Sequence, residues 1–183
     1  MAATGYVLYK RCVEGDRQKV KAASNLDATM GGGARDLRFN PWDKFEAVVA
    51  DMFDNSRELK DGRKVYSVPV YWWEGDRQGP VEVEFWSPTK SRATEGRLAR
   101  VHEVTPFDEI HLPEAGLDPF FVLWKDTERA WARYVTVDEF RDPEWPKSFA
   151  EPILRSVEVV PAERNIRGWF DARTGRGEHI DGS

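Results

Sequence analysis

Side chains able to hold an anion crowd into two stretches of the chain. From Lys10 to Arg38, seven basic residues (Lys10, Arg11, Arg17, Lys19, Lys21, Arg35 and Arg38) stand against four acids, with Gln18 and Asn25 among them. Gly31–Gly33 in the same stretch permit close approach of backbone to a ligand, although neither a following Lys-Ser/Thr nor a G-x-G-x-x-G order makes them a known phosphate loop. From Ser87 to His102, Lys90, Arg92, Arg97 and Arg100 face a single acid, Glu95, and Ser87, Thr89, Ser91 and Thr94 add short hydroxyls. Guanidinium groups grip phosphate or a guanine edge bidentately, ammonium groups act as point charges, and hydroxyls suit phosphate oxygens. Asp36, between Arg35 and Arg38, can orient one guanidinium while the other faces outward.

These stretches oppose the sign of the whole. The net charge is -5, yet residues 1–102 carry 17 basic and 15 acidic side chains, and residues 103–183 carry 10 and 17. A local basic excess in an acidic chain points to an anionic partner. The remaining composition narrows the classes. At 183 residues the chain can bury one real core without staples. One Cys and three scattered His give no zinc-ligand spacing, so neither a metal nor another cofactor is expected. No window approaches 18 apolar residues and the opening MAATGYVLYKR has no signal-like apolar run, so a soluble cytoplasmic protein without membrane contact is expected. The oligomeric state is not legible.

The elements that must position the two stretches are mostly strands, as a 13% aromatic share with eight Trp suggests. Residues 5–12 read as a first strand, and 13–30 as a long loop with a short strand near Lys19–Ala23. Asn40 and Pro41 read as N-cap and first position of a helix whose face is Phe45, Val48, Val49, Met52 and Phe53. The run DNSRELKDGR ends it, with a turn at Asp61–Gly62. Lys64–Trp73 and Pro80–Trp86 form a hairpin with Glu82 and Glu84 outward, Pro69 marking an edge or a bulge. RLARV reads as a strand, and Pro119–Trp124 with Trp131–Val137 as another hairpin. Thr136 and Glu139 have capping-box spacing for a short helix over 137–141. Across 142–163 four prolines suggest turns, with one strand from Ile153, Leu154, Val157, Val159 and Val160. The expectation is one mainly β domain with one or two helices over 1–168, and a flexible tail over 169–183.

Two basic, hydroxyl-rich loops, one after the first strand and one after a central hairpin, resemble the DNA-recognition pseudobarrel. This is the fold of the N-terminal effector domain of EcoRII-type restriction endonucleases and of plant transcription-factor pseudobarrel domains. YVLYKR with ATMGGG, the helix FEAVVADMF, the segment EFWSPTKSRATEGRLARVHE and the strand FFVLW carry the resemblance over about residues 5–137. It implies an open pseudobarrel that grips duplex DNA in the major groove with two arms, Lys10–Arg38 and Ser87–His102. Arg35, Arg38, Arg92 and Arg97 are then candidates for base or phosphate contact, backed by Gln18 and Asn25. Lys10, Lys19, Lys21 and Lys90 are candidate phosphate partners, and Arg11, Arg17 and Arg100 complete the set. The resulting expectation is a non-catalytic, sequence- or modification-sensitive double-stranded DNA-binding protein linked to restriction or defence, with a nuclease or other defence protein as a potential partner.

Two alternatives belong to other classes. A metal-dependent nuclease could use Glu82, Glu84 and Lys90, although the spacing is wider than a carboxylate-lysine site uses. An aromatic pocket from Tyr71, Trp72, Trp73 and Trp86 could hold a single strand, a modified base or a protein partner.

Overall fold

The computed structural model describes residues 4–16, 36–73, 80–104 and 118–182. Ten strands among them form one sheet, which curls into a half-barrel. They are β1 (Tyr6–Arg11), β2 (Leu37–Phe39), β3 (Asn55–Glu58), β4 (Lys64–Trp72), β5 (Val81–Trp86), β6 (Gly96–Ala99), β7 (Phe120–Lys125), β8 (Ala130–Val135), β9 (Ile166–Asp171) and β10 (Arg176–Asp181). Across the sheet the order is β10-β9-β1-β7-β8-β4-β5-β6-β2, with β3 added beside β4. Every pairing is antiparallel except β4 with β8. The expected mainly β, open pseudobarrel class is therefore what the chain adopts.

Alternation along the strands feeds two cores on opposite faces of the sheet. On the inner face, Leu8, Phe121, Leu123, Val68, Val70, Val83, Phe85 and Leu98 pack with the segment Phe39 to Phe53. On the outer face, Val7, Tyr9, Val122, Trp124, Val135 and Ile166 pack under Phe140, Trp145 and helix α3 (Lys147–Val159). The outer cover reaches β9, β1, β7 and β8. Strands β4, β5, β6 and β2 contribute no buried residue to this outer core.

Local differences from the sequence reading have identifiable causes. The helical face Phe45, Val48, Val49, Met52 and Phe53 is buried as expected, but Asn40 is not its cap. The Trp42 N–H that an Asn40 cap would engage donates instead to Thr94 O at 2.8 Å. The chain makes one 3₁₀ turn at Trp42–Lys44 and enters helix α1 (Glu46–Met52) with no side-chain cap. Strand β3 was masked in the sequence because all four of its residues are exposed, leaving no apolar alternation to detect. It forms a hairpin with β4 around Gly62, whose φ of 83° suits glycine. Pro69 is not on an edge strand. On one side of β4 the partner changes from β3, at 64–67, to β8, at 70–72, and Pro69 sits in the gap.

The region 142–163 is corrected more deeply. The segment expected to hold a strand is α3, which starts after Pro146 and includes Pro152. Phe149, Ala150, Ile153 and Ser156 share its buried side, while Val159 is 76% exposed. The tail expected to be flexible from Trp169 is instead the β9–β10 hairpin, and β9 pairs with β1 from Tyr6↔Asp171 to Lys10↔Arg167. A Cβ at Gly168 would lie 2.2 Å from Glu178 O and 2.4 Å from the Tyr9 hydroxyl, so this crossing is built around glycine. The capping box is present: Glu139 Oε2 accepts from Thr136 N–H at 2.6 Å, and Glu139 N–H donates to Thr136 Oγ1 at 3.4 Å, opening a 3₁₀ turn at Glu139–Arg141. The half-barrel is drawn together where Arg167 Nε donates to Asn40 O at 2.5 Å, Trp169 Nε1 donates to Lys44 O at 2.8 Å, and Lys44 pairs with Glu178. Among the described residues no helix is long and apolar enough to cross a membrane.

Candidate nucleic-acid interface

Registers across β2, β6, β5, β4 and β3 place Arg38 beside Arg97, Arg97 beside Trp86, Trp86 beside Val65, and Val65 beside Arg57. Directly opposed residues share a face, so these five form one row on the half of the sheet that α3 leaves uncovered. Arg57, Arg63 and Arg97 each hold a guanidinium over the Trp86 ring, 5.8, 5.3 and 5.9 Å from its centroid. Such stacking fixes the guanidinium planes while leaving donors outward.

Carboxylates orient the same cations. Asp36, buried at the start of β2, lies 3.6 Å from Arg38 Nε and 3.5 Å from Arg97 Nη1. Glu95 lies 3.4 Å from Arg38 Nη1 and 3.3 Å from Arg92 Nη1. The chain Arg97, Asp36, Arg38, Glu95, Arg92 thus alternates in sign. Asp36 lies within ion-pair reach of Arg38 and of Arg97, beyond hydrogen-bond distance of Arg38 Nε. Glu84, outward as expected, accepts from Arg57 at 2.8 Å and from Trp86 Nε1 at 2.9 Å. This contact employs both of its oxygens in fixing the row. Arg100 pairs with Glu103 at the start of helix α2 (Val101–Val104), away from Asp36 and Glu95.

Beside the row lies a groove of about 600 Å³, walled by the β3–β4 turn at Asp61, Gly62 and Arg63, where Asp61 accepts from Arg63 Nε at 2.8 Å, and by Ser87, Thr89, Lys90 and Ser91. Ser87 joins the two walls: its Oγ accepts from Lys64 N–H at 2.8 Å, and its N–H donates to Lys64 O at 2.9 Å. Thr89 Oγ1 and Ser91 Oγ are 3.2 Å apart in a turn closed by Arg92 N–H on Thr89 O. Lys90 is exposed at the rim. The hydroxyls on its walls and the cation at its rim match the donors that phosphate oxygens accept from, and the one acid in its wall, Asp61, is paired with Arg63.

Not all expected contact residues are at this surface. Lys10 and Arg11 are each 2% exposed. Lys10 Nζ binds Asp16, Asn165 Oδ1 at 2.8 Å and Arg11 O at 3.3 Å. Arg11 binds Asp118 Oδ1 and the carbonyls of Val160 and Pro161. These internal partners use both side chains, so the DNA-contact expectation is not carried forward for them. Arg17, Gln18, Lys19, Lys21, Asn25, Arg35 and the glycine triplet lie outside the described residues. The structure brings together Arg38, Arg92 and Arg97 near Lys90, while Arg100 is paired with Glu103 and also lies within the field of Glu84 and Glu82. It also recruits Arg57 and Arg63, which sequence reasoning missed because β3 was not recognised. The signal available was Trp86, an outward aromatic on a strand whose other outward residues are Glu82 and Glu84.

A second polar cluster lies under α3. Tyr9 O–H donates to His179 Nδ1 at 2.6 Å, and His179 Nε2 lies 2.7 Å from Asp181 Oδ1 and 2.5 Å from Ser156 Oγ, which donates to Asp181 Oδ1 at 2.8 Å. Because a carboxylate only accepts, Nε2 carries the ring proton and Nδ1 accepts from the phenol. Burial pushes the His179 pKa below 6.5 against the pull of Asp181, and burial also raises that of Tyr9. Serine and carboxylate meet the same ring nitrogen, so the acid does not sit behind the imidazole as it does in a nucleophilic triad. The cluster fastens β10 to α3. Among the described residues no group of three or more His, Cys, Asp or Glu is placed to hold a metal ion.

Compared with family models, with curated protein sequences and with solved structures, the chain matches none of them.

Proposed function

We propose that the protein is a non-catalytic double-stranded DNA-binding protein, sensitive to sequence or base modification, whose contact surface is the uncovered face of β2–β6 with the 87–95 turn. One observation carries this reading: a row of stacked and carboxylate-oriented arginines runs beside a hydroxyl-lined groove with Lys90 at its rim. Arg38 and Arg97 are the candidate base readers, since a guanidinium held from behind by Asp36 can present its remaining donors to guanine O6 and N7. Lys90 and the hydroxyls of Ser87, Thr89 and Ser91 suit the phosphate backbone. The resemblance to the pseudobarrel family, rather than this surface, attaches the proposal to restriction or defence and to a catalytic partner.

The test is a fluorescence-anisotropy titration of a randomised duplex, with and without methylated cytosine, at two salt concentrations. A salt-dependent isotherm is expected, and selection from the same pool yields a preferred site. Arg38→Ala and Arg97→Ala are expected to lose about 1–3 kcal/mol mainly on that site. A flat line at low salt, or both variants binding like wild type, defeats the proposal.

A further inference from the structure

The uncovered face continues beyond the arginine row. At the far end of β4, about 26 Å from Val65 at the ordinary strand rise, Trp73 is 44% exposed and stands against two other indoles. Its ring centroid is 5.3 Å from Trp131, at 85°, and 5.3 Å from Trp124, at 60°. Tyr71 lies 5.4 Å from Trp131 at 45°, and the Arg129 guanidinium sits 4.9 Å from the Tyr71 centroid.

The corner is held rigidly from behind. Asp126 Oδ2 accepts from Trp131 Nε1 at 2.7 Å, and Asp126 Oδ1 accepts from the N–H groups of Glu128 and Arg129 at 2.8 and 2.7 Å. Asp126 is thereby committed to the turn. Among the described residues Arg129 makes no ion pair, and its cation–π contact with Tyr71 leaves its donors available.

From this arrangement we infer a second binding site, formed by Trp73, Trp131, Tyr71 and Arg129, for a nucleobase that carries a phosphate. An exposed indole set nearly perpendicular to a fixed one supplies a stacking platform for a planar ring. The cation over Tyr71 decides the charge class: it occupies the ring face that a methylated ammonium would need and attracts a phosphate instead. The ligand chemistry is shared by a free nucleotide and by an unpaired base of a strand. The inference stands on this corner alone and does not depend on duplex binding at the arginine row.

The experiment is anisotropy of a labelled ten-nucleotide oligothymidylate with the full chain, competed by adenosine monophosphate and, separately, by a trimethyl-lysine peptide. Binding is expected to weaken roughly tenfold in Trp73→Ala, to be largely retained in Trp73→Phe, and to weaken in Arg129→Glu with a shallower salt dependence. Circular dichroism of each variant checks that the fold is kept, and Trp73→Phe keeps an aromatic ring against Trp124 and Trp131. Displacement by the mononucleotide identifies a free-nucleotide site, and failure of the mononucleotide with retention of the oligonucleotide identifies a strand site. No oligonucleotide binding, wild-type binding by both Trp73→Ala and Arg129→Glu, or displacement by the trimethyl-lysine peptide overturns the inference.

Discussion

The half of the sheet under α3 and the half left bare are woven from the same strand chemistry, yet they treat charge in opposite ways. In the covered half, Lys10, Arg11 and Arg167 are buried and their charges are met by Asp16, Asp118 and backbone carbonyls. In the bare half, Arg38, Arg57, Arg92 and Arg97 remain at the surface, oriented by Asp36, Glu84 and Glu95. A basic residue's role here follows from where its strand lies in the sheet and what its face meets, more than from the charge of its sequence neighbours. Lys10 and Arg38 bound the same basic stretch, but Lys10 stands opposite Phe121 and Arg167 in the middle of the sheet and faces the closed interior with Leu8, whereas Arg38 is on β2, which ends the sheet.

The sharpest way to break this contrast is Lys10→Met. The substitution keeps the apolar stem and removes the ammonium that binds Asp16, Asn165 and Arg11 O. Disrupting a buried ion pair from one side costs about 3–5 kcal/mol. Urea denaturation is expected to show a lower midpoint with an unchanged slope, and the folded protein is expected to keep the wild-type salt dependence for duplex DNA. A stability change below about 1 kcal/mol would show that Lys10 is less committed to the interior than its burial implies.

A smaller effect is expected from the junction of β10 with α3. Burial lowers the His179 pKa in the folded state, so between that value and 6.5 the unfolded chain binds more protons. Stability is therefore complete above 6.5 and is lost as pH falls through this window, with a slope of at most about 1.4 kcal/mol per pH unit. Asp181 opposes the shift, and Arg155 reinforces it. Thermal melts of wild type and His179→Gln across pH 5 to 7.5 check this: the variant is expected to be less stable at neutral pH and to lose that portion of the pH dependence. Parallel pH profiles would remove His179 as the titrating group.

The same contrast explains how much the sequence revealed. Strands with one apolar face, such as Val81–Trp86, and helices with an apolar stripe, such as Phe45 to Phe53, announced themselves through periodicity. β3 is exposed throughout and β10 has no fully buried residue, so their pairing depends on contacts with neighbours that only the tertiary fold supplies. In α3, proline outweighed a 3–4 residue spacing, because prolines before and within the segment read as turns. The arginine row was half legible: Arg38, Arg92 and Arg97 belonged to marked basic stretches. Arg57 and Arg63 joined them only through cross-strand register and the Trp86 ring.

Lys90 gives the smallest expected change and the cleanest separation of surface chemistry from fold. It sits at the groove rim and, among the described residues, forms no ion pair that its loss would leave behind. Lys90→Ala should therefore leave the unfolding free energy within about 0.5 kcal/mol of wild type. If Lys90 meets a phosphate, the variant should bind every duplex more weakly by the same factor, and its log K against log salt slope should become shallower by about 0.9. Arg97→Ala should differ in kind, losing affinity chiefly for the preferred site, because a base contact discriminates and a phosphate contact does not. Equal losses on all sequences for both variants would assign the arginine row to the backbone alone and leave sequence reading to another part of the chain.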